Sequence, residues 1–335
     1  MYSDVKVKID LTKPTGRLGF GIPLLLETGA ESAKPYTECN ELEDVIEAGF
    51  DTTTNTYKTA NLIFMQDDAP TTIAVEATQD TAEVWLGKAE NTSKSCRQIM
   101  FTENELNTDT EIVSIIPAIE KLDDKIAFFS VATDDELTGV TKTGVNRSFV
   151  FFCDPSATGG LPVGALVGAT AGLTPGSFTY KNMILKGIDP QDITDLDSIH
   201  EKGGVTFLTK AGDNVTSEGK TLGGEYLDIV DTRDYIVQQI EYQTQKLLNT
   251  TPKVSYDNNG IAMLESVAVN ILKEAYNNGI IATGDDGKGM YSTSYGMRED
   301  TDDADRVERR YVLGQFSFSL AGAIHEVEIT GEIII

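Results

Sequence analysis

Histidine, cysteine and tryptophan are scarce in this sequence. Its 335 residues include two histidines, His200 and His325, three cysteines and one tryptophan. A histidine-based triad or a multi-histidine metal site therefore has little to build on. We interpret His200 as a surface residue and His325 as a packed residue of a terminal strand. Cys39, Cys96 and Cys153 lie far apart, which suits neither a disulfide framework nor a metal site, and we interpret them as reduced.

Basic residues are also few. The sequence has 27 lysines and arginines and 53 acidic residues, which gives a net charge of −26. Nucleic acids and anionic membranes require a basic surface, so we expect neither as a partner. No run of about 18 apolar residues occurs and the first residues lack a signal-peptide pattern, so we expect synthesis in a cytosol and no direct membrane insertion. Any self-assembly must overcome repulsion between copies through specific contacts.

No motif in the sequence demands catalysis or a cofactor. The glycine-rich stretch at 157–176 lacks the lysine of a phosphate-binding loop, and we interpret its small residues as permitting close helix packing. Acidic clusters at 132–139, 283–289 and 298–306 lack the ligand spacing of a calcium loop and indicate solvated turns. The sequence therefore predicts no metal, no cofactor and no enzyme.

Hydrophobic patterns predict a mixed α/β protein of two domains. Strands alternate with helices up to about residue 190, which is typical of a mainly parallel sheet covered by helices. An Asp-rich segment around Pro190 then suggests a domain boundary. Beyond it we expect two long amphipathic helices, one from about Thr232 to Leu248 and one ending at Gly279, a polar loop over 284–306, and strands from 309 to 335.

Both ends of the sequence read as strands. Residues 4–11, DVKVKIDL, alternate apolar and polar side chains with a period of two, and the last residues read EITGEIII. Burying one isoleucine contributes roughly 1.5 to 3 kcal/mol, so the three final isoleucines indicate that this end docks on a surface. The sequence does not decide whether the two ends pair within their own subunit or with another chain.

The order of segments in the second half resembles contractile-tail sheath proteins of myophages. These segments are GLTPGSFTYKNMILKGIDP, GGVTFLTKAGDNVTSEGKTLGGEYLDIVDTRDYIVQQIEYQTQKLL, NNGIAMLESVAVNILKEAYNNGII and AGAIHEVEITGEI. In the first half YTECNELEDV, YKTANLIFMQ and TTIAVEA follow the same scheme. The chain is most similar to the short sheath of Gram-positive phages and phage-tail-like bacteriocins.

This resemblance implies an inner domain assembled from 1–20 and 192–335, with an outer α/β domain, 21–191, inserted between them. It also implies two strand arms that pair with neighbouring subunits and so link them into a mesh. The expected arm residues are Val5, Val7, Ile9, Leu11, Val327, Ile329, Ile333, Ile334 and Ile335. The expected hinges, where the arms leave the body, are Gly16, Gly19, Gly21 and Gly322.

The implied function is mechanical. Many copies polymerise around an inner tail tube and contract to drive it through a target cell envelope. The expected partners are the chain itself, the tube protein, and the baseplate and tail-terminator proteins, within a virion or bacteriocin particle assembled in the bacterial cytoplasm. Other hypotheses are a tail-tube or other virion structural protein, or a ligand-binding α/β enzyme.

The densest cluster of basic residues in the sequence is a candidate for contact with an acidic tail tube. It consists of Arg306, Arg309 and Arg310. The alternative is that these arginines pair with the acidic residues beside them, which are Glu299, Asp300, Asp302, Asp303 and Asp305.

Overall fold

The structure is a computed structural model that describes residues 21–92, 94–103, 115–138, 145–155 and 159–327. The chain divides into two compact units, with the division after Lys253. The predicted strands at 4–11 and 328–335 lie outside the described residues.

The first unit is built on an eight-stranded sheet with the order β2-β3-β1-β4-β5-β6-β7-β8. The six central strands run parallel, and the edge strands β2 and β8 run antiparallel to their neighbours. The strands are β1 Ile22–Glu27, β2 Lys34–Cys39, β3 Ile73–Ala77, β4 Cys96–Phe101, β5 Ile126–Val131, β6 Ser148–Phe152, β7 Gly204–Lys210 and β8 Asp213–Thr216.

Both faces of this sheet are covered. Strands β3, β4 and β5 are buried along their whole length, as expected for parallel strands between two helical layers. Leu25 belongs to one hydrophobic cluster, whereas Leu24 and Leu26 belong to another, so alternate side chains of β1 enter opposite layers. The helices bounded within the described residues of this unit are α1 Leu42–Glu47, α2 Asn55–Phe64, α3 Ala82–Gly87, α4 Ala89–Thr92, α5 Asp134–Thr138, α6 Val163–Thr170, α7 Leu196–Glu201 and α8 Leu227–Thr250, and residues 115–119 are helical as well.

The glycine-rich stretch forms α6, which packs tightly against α2. A Cβ atom added at Gly164 would lie 2.7 Å from Thr59 Cγ2, and one added at Gly168 would lie 2.5 Å from the carbonyl oxygen of Ile63. Any larger residue would push the helices apart. The prediction that these small residues permit close helix packing is confirmed.

The division into two compact units after Lys253 differs from the domain boundary predicted between residues 191 and 192. Strand β7 pairs in parallel with β6, so residues beyond the Asp-rich segment complete the same sheet. The Asp-rich segment therefore lies within one compact unit. The assignment of inner and outer domains concerns an assembled sheath and stays a prediction.

The second unit contains a long helix and a small sheet. Helix α9, Asn258–Asn277, packs against the antiparallel strands β9, Tyr291–Tyr295, and β10, Gly314–Phe318. A short helix, α10, covers Asp303–Val307. The prediction of a polar loop over 284–306 is wrong, since β9 and α10 lie within it. The prediction of strands from 309 onward holds for β10, but residues 321–327 form neither helix nor strand.

Candidate assembly surfaces

The two strands β9 and β10 offer an incomplete sheet. Tyr291, Thr293 and Phe316 lie on the half-buried face, while Ser292 and Ser317 lie on the exposed face, where their hydroxyls are 2.9 Å apart. Among the described residues, no third strand pairs with β9 or β10 along their length, although Ile281 forms a bridge with Leu320 just beyond the end of β10. A two-stranded sheet is marginal by itself in water, and its outer edges can accept a further strand.

The segment that follows β10 exposes apolar side chains. Ile324 is 85% and Val327 is 74% exposed. Val327 is therefore available for contact, and its role as an arm residue stays a prediction. The other expected arm residues lie outside the described residues.

Two of the four expected hinge glycines are described. Gly21 has φ 125°, and a Cβ atom there would lie 2.5 Å from the Cβ of Arg97, so only glycine fits where the chain enters β1. Gly322 has φ 63°, with open space around its Cα. Gly16 and Gly19 lie outside the described residues, and a hinge role for any of the four stays a prediction.

The three predicted tube-contact arginines have different surroundings. Arg306 pairs with Asp303 and donates to Thr301 Oγ1 at 3.0 Å and to the carbonyl oxygen of Arg298 at 3.1 Å. Arg310 pairs with Asp305 through bonds of 2.6 and 3.0 Å. These contacts favour the alternative of local ion pairs for Arg306 and Arg310.

Arg309 is exposed, and its side chain makes no ion pair or hydrogen bond within the described part of the chain. Its backbone has φ 56° where α10 ends, and the Arg310 amide closes the turn by donating to the Asp305 carbonyl at 2.8 Å. Glycine is the usual residue at this position, and a non-glycine residue costs roughly 1 to 2 kcal/mol there.

A buried ion-pair network joins α8 to the amino ends of the parallel strands β4 and β6. Arg97 Nη2 lies 2.5 Å from Asp231 Oδ1 and 3.0 Å from Asp234 Oδ2. Arg147 binds Asp234 with two bonds, of 2.9 and 3.2 Å, and Tyr180 donates its hydroxyl to Asp231 at 2.5 Å. All five side chains are almost completely buried.

The pKa values in this network follow from burial and charge. Burial alone would raise the pKa of Asp234, but the adjacent Arg97 and Arg147 outweigh it and hold that pKa below its ordinary value. Burial and the neighbouring Asp231 carboxylate raise the pKa of Tyr180 well above its ordinary value. Asp234 is therefore ionised and Tyr180 neutral near neutral pH. The contacts of the network fix the first turns of α8 to the sheet.

The remaining titratable residues found by sequence analysis serve the fold. His200 lies half-buried on α7, with Nε2 2.9 Å from the hydroxyl of Ser217, so it lies at the surface but is only partly exposed. Burial lowers its pKa. The three cysteines are free and buried, and burial raises their pKa values to about 11 for Cys39 and Cys96 and about 12 for Cys153, so they stay protonated.

The described residues contain no group of three or more His, Cys, Asp and Glu placed to hold a metal ion. Over the same residues, no helix has both the length and the apolar character needed to cross a bilayer.

Comparison with known proteins gives one sequence-level match. The model of the C-terminal domain of E217 tail sheath protein gp31-like proteins matches residues 227–333. This match begins at Leu227, the first residue of α8. No curated protein matches the chain.

Solved structures match over nearly the whole chain. The contracted helical sheath of the anti-feeding prophage has a TM-score of 0.71 at 12% identity and covers 98% of this chain and 98% of that chain. The fold is that of a contractile sheath protein. The contracted sheath of the extracellular contractile injection system PVC shares this sheath fold, with a TM-score of 0.69 at 10% identity over 99% of this chain and 98% of that chain.

A chain of the anti-feeding prophage baseplate structure also matches, with a TM-score of 0.71 at 11% identity over 100% of this chain and 99% of that chain. The sheath tail protein Lin1278 of Listeria innocua matches with a TM-score of 0.56 at 11% identity over 84% of this chain and 90% of that chain. The resemblance to sheath proteins and the mixed α/β fold class are confirmed.

Proposed function

We propose that the chain is the structural subunit of a contractile tail sheath, which polymerises around an inner tube and contracts to drive the tube through a cell envelope. The observation that carries the proposal is the sheath fold over nearly the whole length, together with a tail-sheath C-terminal domain at 227–333. The proteins of similar fold are structural, which supports a mechanical rather than an enzymatic role.

The terminal arms link neighbouring subunits in this proposal. The open edges of β9 and β10 support it, because an added strand satisfies the backbone groups of an edge and completes a sheet that is marginal alone. The exposure of Ile324 and Val327 supports an arm that continues away from its own unit. The acceptor of an arm is then the β9-β10 sheet of another copy.

The wider partners follow from the same proposal. They are other copies of the chain, the tube protein, and the baseplate and tail-terminator proteins, within a phage tail or bacteriocin particle assembled in the bacterial cytoplasm. Residues 1–20 and 192–335 are proposed to line the inside of the sheath, and 21–191 the outside.

Electron microscopy of the purified chain tests the polymer directly. We expect striated helical tubes, whereas stacked rings would indicate a tail-tube protein and persistent monomers would contradict a sheath role.

The arms are tested by deleting residues 1–13 or by replacing Ile333, Ile334 and Ile335 with serine. We expect a folded monomer and no ordered tubes, because each buried isoleucine contributes roughly 1.5 to 3 kcal/mol to a contact repeated along the lattice. Ile184→Ser is the matched control, since Ile184 is 69% exposed on the first unit. Unfolding of the arm variants would show that the terminal strands belong to their own subunit.

A further inference from the structure

The turn that ends α10 presents a cation, Arg309, in a segment that also carries exposed apolar side chains. Val307 is 84%, Val312 is 51% and Met297 is 55% exposed. Val307 lies two residues before Arg309, and Val312 three residues after it. Met297 follows Gly296, whose amide donates to the carbonyl oxygen of Leu313 at 3.3 Å, next to Val312. We call Met297, Val307, Arg309 and Val312 the α10 patch.

We propose that Arg309 forms ion pairs with carboxylates of a neighbouring copy of this chain, and that the apolar members of the α10 patch pack around them. This inference rests on the proposed function, because it assigns a specific contact between subunits of the polymer.

The structure separates Arg309 from the two arginines beside it. Arg306 and Arg310 are neutralised by carboxylates on the same short helix, Asp303 and Asp305. The guanidinium of Arg309 has no such partner within the described residues and can bind an anion of another molecule. Its left-handed backbone is unfavourable for any residue except glycine or asparagine, so the backbone conformation does not favour arginine at this position.

The turn is also held in place before any partner binds. Tyr256 donates its hydroxyl to the carbonyl oxygen of Arg310 at 2.9 Å, and Tyr311 donates to that of Gly296 at 2.8 Å. Because the backbone of the turn is already fixed, binding orders only the side chain of Arg309, and arginines are enriched among the residues that dominate interface energetics.

Charge complementarity identifies a second copy as the partner. Each copy carries a net charge of −26, so an approaching copy presents carboxylates more often than cations. A cation placed between two such chains removes part of the repulsion that opposes polymerisation.

Three variants test the inference in a polymerisation assay that measures the concentration above which tubes form. Arg309→Gly should keep the melting temperature or raise it by about 2 °C, because the backbone strain is relieved. The same variant should raise the critical concentration about fivefold or more. Arg309→Glu should raise it by more than about tenfold. Lys273→Glu is the control for net charge, since Lys273 is an exposed residue of α9, and it should stay within about twofold of wild type.

Each outcome decides the matter. Arg309 variants that fold and polymerise like Lys273→Glu would overturn the inference while leaving the sheath proposal intact. Arg309 variants that form normal sheath tubes but no longer bind an inner-tube protein would also overturn the inference. In that case Arg309 would contact the inner tube and not a neighbouring copy of this chain. A wild-type chain that never polymerises would refute the proposed function together with this contact.

Discussion

The buried network between α8 and the sheet leads to a sharp stability prediction for Asp234→Asn. The substitution removes the charge that faces Arg147 at 2.9 Å and Arg97 at 3.0 Å, while both guanidiniums stay buried. Arg97 keeps Asp231, but Arg147 loses a two-bond carboxylate partner. Removing one partner from a buried ion pair costs about 3–5 kcal/mol, mostly because the other charge is left uncompensated.

This loss should appear as a lower midpoint in urea unfolding followed by circular dichroism, with an unchanged slope. Arg233→Ala provides the matched control, because Arg233 contacts the same carboxylate at 3.1 Å from a side chain that is 43% exposed. Exposed pairs contribute about 1 kcal/mol or less, so the control should stay close to wild type. A loss below about 1 kcal/mol for Asp234→Asn would refute the idea that the network fixes α8 to the sheet.

Three further outcomes follow from the structure. The pKa of folded Asp234 lies below its ordinary value of 3.8, so its contribution to stability is present above about pH 4 and is lost as the pH falls further. The urea unfolding midpoint of the wild type should therefore decline below about pH 4, and the decline should be smaller in Asp234→Asn. Gly168→Val should lower the melting temperature strongly, since its Cβ would meet the backbone of Ile63, whereas Ala171→Gly at the end of α6 should have a small effect. A thiol reagent should label the three buried cysteines only after denaturation, and fast labelling of the native chain would contradict their burial.

Much of the first unit can be predicted from sequence because its signals are local. Strands β1, β5 and β6 consist mainly of apolar, β-branched or aromatic residues, and α2 and α9 place apolar residues at helical spacing. Burial on both faces of the sheet makes these runs nearly continuous, so they stand out.

The elements that sequence analysis missed depend on distant partners. Strand β9 reads YSTSY and resembles a polar loop, and its conformation comes from pairing with β10 about twenty residues later. Edge strand β2 is half exposed and carries no apolar run. The ion-pair network was also missed, because Arg97 and Asp231 are 134 residues apart. The available signal was an arginine at the amino end of two neighbouring strand patterns, Arg97 in β4 and Arg147 just before β6.

The separation between these charges in the sequence also constrains how the chain folds during synthesis. Arg97 and Arg147 emerge from the ribosome long before Asp231 and Asp234. Until α8 arrives, burying either arginine leaves an unpaired charge, so the amino end of the sheet stays hydrated and its core cannot close. A fragment that stops before Leu227 would lack both carboxylates. The natural unit for expression therefore includes α8, even when only the α/β sheet is wanted.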